Sequence, residues 1–165
     1  MKKLLSSLAL VVGLALGSSA QAQEDQTYTW YFTGASSIGL SMMDVNTAKR
    51  EGNLVAVQSV LYLFERDAKR DYDFTVTLEV YDCSVPGKSR FAQMYDYKAY
   101  VKEPIDGGAL SGEIAAWRQA PANSIFMRSW KTACNGPEPD AAIKASTHED
   151  VLARVRAQYE ENGRR

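Results

Sequence analysis

The chain has 165 residues, with 19 Lys and Arg against 20 Asp and Glu and a single His, so its formal charge is −1. That balance lacks the basic surplus that phosphate-backbone binding requires, which leaves nucleic acid out as a partner. The length suits one domain with a substantial core, and no internal repeat or low-complexity stretch divides it.

Met1, Lys2 and Lys3 precede an apolar run from Leu4 to Leu16, followed by Gly17, Ser18, Ser19, Ala20, Gln21 and Ala22. A basic start, a short apolar segment and an Ala-x-Ala site form a secretory leader, expected over 1–22 and cleaved after Ala22, with Ala20 as the rival site. The apolar run falls short of the roughly 20 residues that span a bilayer, so no transmembrane anchor is expected in the mature form. Cleavage removes two lysines and no acid, leaving 17 basic against 20 acidic residues. The expected location is the periplasm or the exterior of a bacterial cell. In that oxidising setting the only two cysteines, Cys83 and Cys134, are expected to form a disulfide.

Strand periodicity begins at once. Tyr28, Trp30 and Phe32 alternate with Thr27, Thr29 and Tyr31 up to Gly34, and Ile38, Leu40 and Met42 give a second short strand ending at Asp44, then a polar turn from Asn46 to Gly52. Asn53 to Phe64 is apolar on both parities and reads as a central strand covered on both faces. Glu65 to Asp73 is a hairpin loop. Phe74, Val76, Leu78 and Val80 form a core face, with Thr75, Thr77 and Glu79 expected to meet water. After the Pro86-Gly87 turn, Phe91, Tyr95, Tyr97, Ala99 and Val101 are expected to share one face of a long strand. Such short connections imply antiparallel pairing.

From Pro104 the pattern changes. Ala109 to Gln119, with Trp117, is loop or weak helix ended by Pro121. Asn123 or Ser124 can cap a helix carrying Phe126, Trp130 and Cys134 and stopping at Asn135, Gly136 and Pro137, although the same residues also fit strand alternation. Residues 137–165 form a tail with its own amphipathic helix, opened by Thr147, Glu149 and Asp150 and carrying Val151, Leu152, Val155 and Tyr159. Packing or lying on the domain is the plain role for that helix, and partner binding the other.

Groups suited to catalysis are scarce. His148 falls in the polar first turn of the tail helix, where a solvated residue is expected rather than a general base. No Gly-x-Ser-x-Gly elbow occurs, Gly87-Lys88-Ser89 lacks the earlier glycine of a phosphate loop, and neither calcium-loop nor zinc spacing is present. No cofactor or metal is expected. Asp44 and Asp82 at strand ends are turn caps in the simplest reading and a hydrolase acid pair in the alternative. The nine tyrosines are mainly sheet packing, with some available to a binding surface.

A leader, Asp44 after a short strand, a Val-rich strand, Asp82-Cys83 at a strand end, a tyrosine-bearing strand from Tyr95 to Tyr100, then Trp117, Pro121, Ser124 and Cys134 follow in an order that resembles the surface-adhesin protein E-like family of Gram-negative bacteria. The resemblance covers about residues 27–136. It implies an α+β domain with an antiparallel sheet, a flanking helix and a disulfide carried by Cys83 and Cys134, and a role in engaging host proteins without enzymatic activity. Two departures bear on that role: the leader lacks a lipoprotein cysteine, and the tail after Gly136 is extra.

The expected fold is therefore α+β, an antiparallel sheet of about five to six strands flanked by a disulfide-linked C-terminal helix, plus the tail helix. The expected function is non-enzymatic binding of a protein or envelope component. A small periplasmic hydrolase and an envelope assembly or stress accessory acting through the tail are the alternatives.

Overall fold

The computed structural model describes residues 28–66, 69, 71–138, 140, 142–145 and 147–163. The expected leader and its cleavage site lie outside the described residues. β1 (Tyr28–Ala35), β2 (Gly39–Glu51), β3 (Leu54–Leu63), β4 (Phe74–Asp82) and β5 (Lys88–Tyr97) follow one another as an antiparallel meander. β6 (Asp106–Ala109) and β7 (Arg118–Gln119) share the outer edge of β5, and β8 (Ala142–Ala145) closes the opposite edge beside β1. The sheet thus has eight strands, more than the five to six expected. The extra ones, of two to four residues, are too short to show a period.

Of the three register shifts in the sheet, the two in β2 and β5 set which side chains face which way around the site. The segment after Asp44 is not a turn, because β2 continues to Glu51. Asp44 Oδ1 accepts from the Asn46 backbone N–H at 3.0 Å, and the Thr47 hydroxyl donates to the Asp44 carbonyl while accepting from Gln58 N–H at 3.0 Å. The side chains replace the missing ladder bonds, so the register slips between Asp44 and Lys49 and the reversal waits until Gly52, at φ 56°. In β5, Gln93 pairs with Leu78 but Phe91 pairs with Glu79, leaving Ala92 as the extra residue. Phe91 therefore lies on the face of Glu79, opposite Tyr95 and Tyr97, and the expected common face is corrected.

Helices cover both faces. α1 (Ile125–Asn135) starts at Ser124, whose hydroxyl accepts from Met127 N–H at 3.1 Å, and ends at Gly136. Trp130 is buried from it and donates its indole N–H to the Asp82 carbonyl at 3.0 Å. Cys83, the residue after Asp82, and Cys134, one helical turn after Trp130, are bonded with their Cα atoms 5.4 Å apart. With α1 on this side, Thr75, Thr77 and Glu79 are buried, at 6, 8 and 3 % exposure, and the expected solvent face of β4 is corrected to a covered one.

α2 (His148–Gly163) is capped by Thr147, whose hydroxyl accepts from Asp150 N–H at 3.2 Å. Val151, Leu152 and Val155 bury their side chains against Trp30, Tyr62 and Phe74 on the other face, each large side chain contributing about 1.5–3 kcal/mol by burial. The described part of the tail is thus joined to the sheet through β8 and to its core through α2. An ion pair adds to this: the buried Asp73 receives Arg156 of α2 at 2.7 Å and Arg66 at 3.1 Å.

Candidate functional site

A cleft of about 410 Å³ opens where α1 leans over β3, β4 and β5. Its floor is a row of hydroxyls: Ser59 on β3, then Thr75 and Thr77 on β4, with Ser129 of α1 opposite. This row exists because alternate residues of a strand share a face and Ser59 pairs directly with Thr77. Its walls are apolar, with Leu61, Phe91, Met94, Ile125 and Phe126. The bulge at Ala92 is what brings Phe91 to this side.

Glu79 closes the inner end. Its carboxylate accepts from the Tyr81 hydroxyl at 2.6 Å and the Ser89 hydroxyl at 2.9 Å, and burial pushes its pKa up against those bonds and the charge of Arg118. At the outer end Asp96 accepts from the Thr75 hydroxyl at 2.6 Å. The Ser59 hydroxyl faces the Tyr81 phenol, whose proton goes to Glu79, and with Ser129 it stands as a donor to the phenol oxygen.

The residues singled out from sequence lie elsewhere. Asp44 is occupied at the β2 bulge, and burial raises its pKa against the Asn46 hydrogen bonds. Asp82 accepts from the backbone N–H and hydroxyl of Ser84 and pairs with Lys88 Nζ at 3.0 Å; these bonds lower its pKa. The two stand on either side of β3, opposite Gln58 and Leu54, on the order of 16 Å apart by strand spacing. Glycosidase acids sit about 5–9.5 Å apart.

No protein-family model matches the chain, and neither a curated protein nor a solved structure matches it. The cleft must therefore be read from its own chemistry.

His148 is corrected from solvated to packed. Its ring stacks on Phe74 at 4.8 Å, lies 5.1 Å from Trp30, and places Nδ1 2.8 Å from the Tyr62 hydroxyl. Burial lowers its pKa, with the charge of Glu149 acting the other way. This cluster sits on the α2 face, across the sheet from the cleft.

Sequence reasoning missed Ser59, Thr75, Thr77 and Glu79 because polar residues alternating with apolar ones ordinarily mark a solvent face. The available signal was the Ser/Thr row itself, in strands whose other face was already apolar. Among the described residues no cluster of three or more His, Cys, Asp or Glu could hold a metal ion, and no helix is long and apolar enough to cross a membrane.

Proposed function

We propose that this chain is an exported, non-catalytic binding protein of the Gram-negative envelope, of the protein E-like kind, which acts by holding an envelope component or a partner protein. The observation that carries the reading is the cleft under α1, an apolar concavity with a few converging polar groups, as binding sites commonly have. The disulfide between Cys83 and Cys134 suits an oxidising compartment. The engagement of Asp44 in the β2 bulge and of Asp82 at its strand end, rather than with each other, also supports binding over hydrolysis.

Native mass spectrometry of the full chain expressed with export and isolated from the envelope fraction tests this. A co-purifying mass is expected on the wild type and is expected to be lost in Met94→Trp, which fills the cleft. Turnover of an envelope substrate that disappears in the Asp44→Asn/Asp82→Asn double variant at unchanged melting temperature overturns the reading in favour of the hydrolase.

A further inference from the structure

The ionic character of the cleft narrows what can enter it. Two acids, Glu79 and Asp96, are among its lining residues, and no Lys, Arg or His is. Arg118, whose charge reaches Glu79, is exposed; its guanidinium stacks over Phe91 at 3.9 Å, outside the lining. Three hydroxyl protons at the cleft are already committed to its acids: Thr75 donates to Asp96, and Tyr81 and Ser89 donate to Glu79. What remains open is acceptor capacity on the carboxylates and on the Thr75, Thr77 and Ser59 oxygens.

We propose that the cleft takes a small amphipathic molecule whose apolar body ends in a hydrogen-bond-donating head, an amine or an alcohol, and that it rejects the matching carboxylate. Resting on the binding-protein reading, this adds the ligand's chemical class. The head lies along Ser59, Thr77 and Asp96, and the body packs against Phe91, Met94 and Phe126. At about 30 Å³ for each water-sized group, the space holds roughly a dozen non-hydrogen atoms. An anionic head would face the charges of Asp96 and Glu79 with only the exposed Arg118, outside the lining, to offset them.

The probes are 4-phenylbutylamine, 4-phenylbutanol and 4-phenylbutanoate, titrated at pH 7 into the disulfide-intact mature chain and followed by backbone amide shifts. The amine and alcohol are expected to shift the Ser59, Thr77 and Met94 amides, with the carboxylate at least tenfold weaker. Asp96→Asn should narrow the gap between amine and carboxylate, and Ser59→Ala should weaken amine and alcohol severalfold. Carboxylate binding in the cleft as tight as amine binding overturns the proposed class while leaving the binding-protein reading intact. If none of the three moves the cleft amides, the proposal falls, and the broader reading then rests on the co-purification result alone.

Discussion

The Tyr62 hydroxyl and His148 Nδ1, 86 positions apart in sequence, meet at 2.8 Å and join the centre of the sheet to the first residue of α2. Because the ring is also held between Trp30 and Phe74, His148→Ala is expected to lower stability by about 1–3 kcal/mol, measured by urea unfolding.

The same site gives a pH dependence. The unfolded chain accepts a proton on His148 near pH 6.5, whereas the folded chain resists it because its pKa is lowered. Stability from this group is therefore complete above about pH 6.5 and declines as pH falls from there toward the lowered folded value. Unfolding at pH 7.5 and 5.5 should show a smaller loss in His148→Gln than in the wild type; an equal loss refutes the assignment.

Asp73 is expected to matter at lower pH. Burial alone would raise its pKa, but hydrogen bonds from Ala99 N–H, Arg66 and Arg156 outweigh it and hold the carboxyl below its ordinary value of 3.8. Its contribution is present above about pH 3.8 and is lost as pH falls through the lower folded value. Asp73→Asn at pH 7 should cost about 2–4 kcal/mol, since it leaves two partly exposed guanidiniums without their common partner. A melting temperature unchanged from wild type contradicts this.

Replacing Cys83 and Cys134 together by Ala should lower stability by about 2–5 kcal/mol, because the bond closes a loop of sequence separation 51. Thiol titration of denatured protein from the periplasm should find no free sulfhydryl. Two reactive thiols there would contradict an oxidised resting form.

Intact mass of the exported protein should place its first residue at Gln23. Material retaining Met1 to Ala22 would remove the support for export.

The fold was legible wherever one face of an element is apolar and the other is not. β1 and β4 follow from alternation, β3 from an apolar run on both parities, α1 from its Ser124 and Gly136 ends, and the cysteine pairing from there being only two. Both bulges escaped, since each depends on a pairing partner: Thr47 acts as a ladder acceptor only when Gln58 is beside it. β8 escaped for the same reason, its four residues being strand only because β1 lies alongside. The cleft was illegible because a hydroxyl row that meets water and one that meets a ligand read alike until α1 is placed over it.

The position of β8 also ties a late segment to an early one. β1, the first strand of the described chain, takes β8 as its outer neighbour, and Trp30 within it is buried with Val151, Leu152 and Val155 near the end. Without the segment after Gly136 the chain would lack both, leaving β1 an uncovered edge and one side of the core open, so that segment acts as the latch on β1.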